Sequence, residues 1–115
     1  MLERIENVNE HVIKKMFLLY AESMADMEGK FKNRDEMEAS YAAFLKEFIE
    51  NPKQMVFVET VEKQWVCGLR AVESEPGKWF LEAVETMPRK RNRGYGKKLI
   101  RHVTEFLKGT GAKKI

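Results

Sequence analysis

Three runs rich in Val, Phe and Trp, at roughly 54–61, 64–73 and 78–86, follow one another with only short polar turns between them. Turns this short cannot hold the crossover of a dozen or more residues that parallel strands need, so the spacing suits an antiparallel meander. The second turn contains Glu75-Pro76-Gly77, residue types that reverse a chain at low cost. Everything else in a chain of 115 residues has to be arranged around that sheet. Such a length admits one domain, residues 1–115, with one modest core.

The flanking segments read as helices. Residues 2–6 can form a short first strand. Asn7 with Glu10 makes a capping pair ahead of Val12, Ile13, Met16, Phe17 and Tyr20, which recur at helical spacing. Residues 25–33 are polar, contain Gly29 and read as a loop. Asn33 with Glu36 offers a second capping pair, followed by one apolar stripe, Met37, Tyr41, Phe44, Leu45 and Phe48, which stops at Asn51-Pro52. Beyond the meander, Leu99, Ile100, Val103, Phe106 and Leu107 define a third amphipathic helix ending near Gly109 or Gly111, and Ala112 to Ile115 can begin another strand. The order β-α-α-β-β-β-loop-α is an α+β pattern.

Between the last strand and the last helix lies Arg91-Asn92-Arg93-Gly94-Tyr95-Gly96. Two glycines remove side chains that would block a close anion, and the helix that follows adds unpaired N–H groups and a partial positive charge. Charge is concentrated in the same place. Residues 1–88 hold 11 Lys/Arg against 17 Asp/Glu, whereas residues 89–115 hold 10 Lys/Arg against Glu105 alone. A net of −6 therefore adjoins a net of +9, which favours one local anionic ligand over a uniformly basic surface. A dinucleotide fingerprint is not met, because a third glycine and a parallel βαβ unit are lacking. A P-loop is not met either, for want of a Gly-Lys-Ser/Thr ending.

Leu81-Glu82-Ala83-Val84-Glu85-Thr86-Met87-Pro88 running into Arg91-x-x-Gly94-x-Gly96 resembles the GNAT superfamily of N-acetyltransferases. The element order agrees along essentially the whole chain, while the discriminating motif occupies about residues 79–107. The resemblance implies an acyl-CoA N-acyltransferase fold, α+β, with a mixed, mainly antiparallel sheet flanked by helices. It implies acetyl-CoA as cosubstrate, its pyrophosphate on the backbone amides of the loop. Arg91, Gly94 and Gly96 match the fixed points of the motif, and Asn92, Arg93, Tyr95 and Lys97 supply amides or charge. The end of the fourth strand, Glu85, Thr86 and Met87, would pair with the pantetheine arm. The family continues through a further strand, a helix bearing a tyrosine acid and a hairpin, so a chain stopping at Ile115 is expected to lack those C-terminal strands and that helix.

Acetyl transfer to an amine needs a base for the amine's proton and a polarised thioester carbonyl. Glu85 and Glu82 are the candidate bases. Period-two alternation places them on opposite faces of the strand, and Glu85, nearer the expected thioester, ranks first. The alternative is that each merely pairs with a cation or meets solvent. Tyr20 and Phe31 are expected on the acceptor side, and the acidic balance of residues 1–88 favours a cationic amine, of a small molecule or a peptide. Trp65, Trp79, Phe80, Tyr41 and Phe44 read as core. His11 and His102 have no partner pattern for a metal or a triad, and the seven methionines read as adaptable core filler. A basic nucleic-acid module is the competing class, disfavoured by the lack of a recognition helix or stacking aromatics. A non-catalytic acyl-CoA binder is a third.

At 43% hydrophobic and 34% charged residues the composition is that of a globular chain. No apolar run approaches the ~20 residues that span a bilayer, and no signal-peptide layout opens the chain. A single cysteine, Cys67, permits no internal disulfide and reads as a small core residue, so a cytoplasmic location is expected. An unpaired edge on the fourth strand would favour an oligomer such as a homodimer.

Overall fold

The computed structural model describes residues 1–115. Strands β1 (Leu2–Arg4), β2 (Gln54–Val61), β3 (Gln64–Glu75) and β4 (Lys78–Thr86) form one sheet in the order β1-β2-β3-β4, every neighbouring pair antiparallel. The meander is the one expected from the short turns. Its first turn is tight enough to put both Glu62 and Lys63 at positive φ. The expected mixed character reduces to one parallel bridge, Lys78 with Lys114, where the chain end meets the start of β4.

Helices cover both faces. On one lie α1 (Glu10–Leu19), α2 (Ala21–Met27) and α3 (Arg34–Glu50), and on the other α4 (Tyr95–Gly109). Strand alternation divides the core accordingly. Val56 and Val58 of β2 pack with Met16, Leu19 and Leu45 on the first face. Phe57 of β2 and Leu69 and Ala71 of β3 pack with Leu99, Val103 and Leu107 on the second. Those three α4 side chains are fully buried at helical spacing, each contributing about 1.5–3 kcal/mol of apolar burial. Cys67 is fully buried, as expected of a small core residue, and burial pushes its thiol up.

Four local expectations change. Asn9, not Asn7, caps α1, its side chain accepting from the Val12 N–H at 2.9 Å. Residues 25–33 are not simply a loop: α1 breaks at Tyr20 and resumes as α2 through Met27, followed by a 3-10 turn over 28–30. Ala, Met and Glu in α2 favour a helix, but only Met24 of that segment is buried, so no apolar stripe announces it. Phe44 in α3 is 42% exposed and Ile100 and Phe106 in α4 are half-exposed, because each lies on the margin of its stripe. Asn33 caps α3 as expected, accepting from the Glu36 N–H, while the Glu36 carboxylate reaches back to the Lys32 N–H.

His102 belongs to the α4 face. Its Nδ1 lies 2.8 Å from the fully buried Glu59 carboxylate, which the terminal ammonium of Met1 also approaches at 2.7 Å. The histidine is a partner for this buried carboxylate on β2, two strands across the sheet from Thr86.

Candidate functional site

Past Thr86 the chain leaves the sheet, makes a 3-10 turn at Pro88–Lys90 and enters α4 at Tyr95. Gly94 sits at φ 77°, a left-handed backbone that favours glycine, and Asn92 at 63° is the other left-handed residue of the loop. The first backbone bond of the helix runs from the Lys98 N–H to the Gly94 carbonyl, 3.1 Å. The six consecutive N–H groups of Asn92 through Lys97 therefore donate to no protein acceptor. Four of these residues, Asn92, Gly94, Tyr95 and Gly96, line a cleft of about 430 Å³ together with Val84, Glu85, Thr86, Lys90 and Arg91. Free N–H groups at a helix start, with cations beside them, form an anion site.

Of the candidate cofactor residues, Met87, Arg93 and Lys97 do not line this cleft. The Met87 N–H already donates to the Val66 carbonyl, 2.8 Å. Arg91 lines the cleft but its charge is engaged: the guanidinium pairs with both oxygens of Glu22 at 2.8 Å, and its Nε donates to the Thr86 carbonyl at 3.3 Å. The hydrogen bond from Arg91 lowers the pKa of the Glu22 carboxyl, and the same contact raises that of Arg91. Arg91 thus ties α2 and the end of β4 to the loop. Lys90, Arg93 and Lys97 make no ion pair, and of the three Lys90 lines the cleft. Lys90 was not among the residues expected from the sequence, because it lies one position outside the motif.

The carboxylates are arranged differently from the expectation. Gly68 pairs with Glu85, but Arg70 pairs with Glu82, so β4 has one more residue than β3 between these rungs. Ala83, at φ 52°, belongs to that bulge. The extra residue cancels the alternation, and Glu82 and Glu85 share the face of Gly68 and Arg70, toward α1–α3. The Tyr20 hydroxyl donates to the Ala83 carbonyl at 3.1 Å, and burial raises the pKa of that phenol. Tyr20 is therefore a buried prop for the bulge, and its side also lines the cavity that opens beside Glu85. Glu85 Oε1 accepts from the Ser23 hydroxyl at 3.0 Å, while Oε2 is buried without a partner. Glu82 is half-exposed and lies 3.4 Å from Arg70 Nε.

Comparison with known proteins places this geometry. The acetyltransferase (GNAT) family model matches residues 18–115. The chain belongs to that family. No curated protein matches it in sequence. Among solved structures, the GNAT chain is similar to a GNAT family acetyltransferase from Staphylococcus aureus subsp. aureus USA300_TCH1516, with 17% identity and a TM-score of 0.73 over 100% of this chain and 82% of that one. It is similar to an aminoglycoside 6'-N-acetyltransferase complexed with coenzyme A, with 13% identity and a TM-score of 0.70 over 96% of this chain and 57% of that one. It is similar also to the PaiA N-acetyltransferase of Thermoplasma acidophilum in complex with coenzyme A, at 12% identity, TM-score 0.68, 97% of this chain and 75% of that one. At these identities the likeness is one of fold, and this GNAT chain spans little more than half the length of the aminoglycoside enzyme.

On the far side of Glu85 the GNAT fold carries a second opening. A cavity of about 280 Å³ bordered by Ser23, Met27, Ala83 and Glu85 shares Met24, Tyr41 and Arg70 with one of about 410 Å³ that reaches Phe31 and Phe44. Phe31 thus lies where the sequence put it, and Tyr41 and Phe44, expected in the core, line the wall. Burial raises the Tyr41 phenol pKa to about 12. Ser23, Arg70 and Val84 are the residues that sequence reasoning missed here. A serine just past the first apolar helical stripe and an arginine in a strand carry no motif.

Proposed function

We propose that this chain is an N-acetyltransferase that takes acetyl-CoA as the acyl donor and a primary amine as acceptor. One observation carries the reading: four residues with free backbone N–H groups at the start of α4, Asn92, Gly94, Tyr95 and Gly96, line a cleft that reaches Glu85. The pyrophosphate of the donor suits those amides and the unpaired charges of Lys90, Arg93 and Lys97. Gly96 lines the same cleft opposite Thr86.

In the reaction the amine nitrogen attacks the thioester carbonyl, the C–S bond breaks and the thiolate leaves with a proton. Glu85, held by Ser23 through one oxygen, has its second oxygen free to accept the proton of the amine. Holding both substrates on either side of β4 supplies the orientation on which the rate depends. Neighbours named as aminoglycoside acetyltransferases support a small-molecule amine. The β4 edge, with Phe80 and Val84 exposed, supports a homodimer.

Calorimetry with CoA and with dephospho-CoA tests the donor. Micromolar binding of CoA, weakened by raising salt, is the expected result. Absence of binding by either compound refutes the donor site. Binding without acetylation of any amine leaves a non-catalytic CoA binder.

A further inference from the structure

Arg70 is a half-buried guanidinium that makes no hydrogen bond within the chain. It projects from β3 into the region between the two acceptor-side cavities and lines both. Its Nε is buried without a hydrogen-bond partner, and its only ionic neighbour is one oxygen of half-exposed Glu82 at 3.4 Å, a long contact that meets no hydrogen-bond geometry. The Tyr20 and Tyr41 phenols lie within reach of its charge, and the cavities it lines are otherwise mostly apolar. The guanidinium carbon stands 5.4 Å from the Phe44 ring centre and 5.6 Å from that of Phe48. Met24 and Met27 complete the wall on the α2 side.

A guanidinium in such a place is stiffened by the rings beside it and offers a planar fork of donors. Half-buried polar groups without partners carry a free-energy cost that a matching ligand removes. The ligand that matches a fork is a carboxylate, bound by two parallel N–H···O bonds. Glu85 lines the first of the same cavities, so the cleft has a positive site, a negative site and an apolar body between aromatic and methionine walls.

We infer that the acceptor is an amine bearing a carboxylate on an apolar body, of which an apolar amino acid is the simplest form, with Arg70 holding the carboxylate. The inference rests on the acetyl-transfer reading for the identity of the reacting amine, and on the cleft alone for the carboxylate. It reverses the cationic acceptor expected from the acidic balance of residues 1–88, because a polycation would bring like charge to Arg70.

The test measures binding of N-acetyl-leucine, N-acetyl-methionine and N-acetyl-phenylalanine against their primary amides, by calorimetry with and without CoA, and includes spermidine as a cationic probe. At least one carboxylate is expected to bind about 10- to 100-fold more tightly than its amide. Arg70→Met removes that preference and Arg70→Lys keeps a reduced one, since an ammonium lacks the fork. Equal binding of acid and amide, no binding of either, or tighter binding of spermidine overturns the inference. The wild-type comparison decides even where a variant unfolds. A carboxylate preference without CoA binding keeps the Arg70 site and removes the acetyl-transfer reading; CoA binding without the preference does the reverse.

Discussion

Gly68→Ala places a methyl group where the bulge is propped. A Cβ at this position would stand 2.8 Å from the Tyr20 hydroxyl and 2.9 Å from Leu19 Cδ2. Neither distance can persist. Leu19 is fully buried, so Tyr20 is the group that yields, and its hydroxyl leaves the Ala83 carbonyl. Overpacking of this kind costs about 1–3 kcal/mol and the lost hydrogen bond about 1. The lower entropy of an unfolded chain with alanine in place of glycine offsets about 0.5–1 kcal/mol. The net loss is about 1.5–3 kcal/mol. With an unfolding entropy near 2.1 cal/mol/K per residue, one kcal/mol corresponds to about 4 °C here, so Tm falls by about 6–12 °C. Urea and thermal denaturation measure this directly. Tyr20→Phe supplies the decisive control. It costs about 1 kcal/mol alone, but it removes the nearest clashing atom, so Gly68→Ala should cost about 1 kcal/mol less in that background. A loss below about 0.5 kcal/mol, or the same loss in both backgrounds, refutes the packing argument.

Glu85→Gln should lower kcat by about 10²- to 10⁴-fold with CoA affinity unchanged within a few-fold, measured by thiol release and calorimetry; an unchanged kcat removes Glu85 as the base. Gly94→Ala forces an ordinary side chain to a left-handed backbone and should cost about 1 kcal/mol, although nothing stands within 4 Å of the new methyl. Gly96→Ala, with only ordinary contacts and no positive φ, should leave stability within about 0.5 kcal/mol in the same denaturation assay. Glu22 has its carboxyl held below the usual 4.5 by Arg91, so the pair stabilises the fold above pH 4.5 and that contribution is lost as pH falls through the lowered value. A carbon-13 titration should show the Glu22 midpoint moving back up in Arg91→Gln; no movement means that the bidentate contact is not made in solution.

The legible parts of this chain are those set by neighbours in sequence. Strand periods and two short turns specify the meander, because a side chain's face is decided by its own strand. The α4 stripe of Leu99, Val103 and Leu107 and the Asn33 cap were readable for the same reason. So was the glycine loop, whose free amides follow from the unpaired N–H groups at any helix start. The bulge was not readable: Ala83 is no glycine, and its left-handed backbone is held by a tyrosine 63 positions away. Nor was α2, whose one buried side chain makes no pattern but whose Glu22 and Ser23 touch the site.

Sequence alone thus determined the three-strand meander, the amphipathic helices and the place where an anion can bind, since each depends on local spacing and charge. Tertiary structure decided which charges remain free. It paired Arg91 with Glu22, brought Glu82 and Glu85 to one face and left Arg70 without a full partner between two cavities. Charge neutralisation acts across space, between residues that the chain order keeps tens of positions apart.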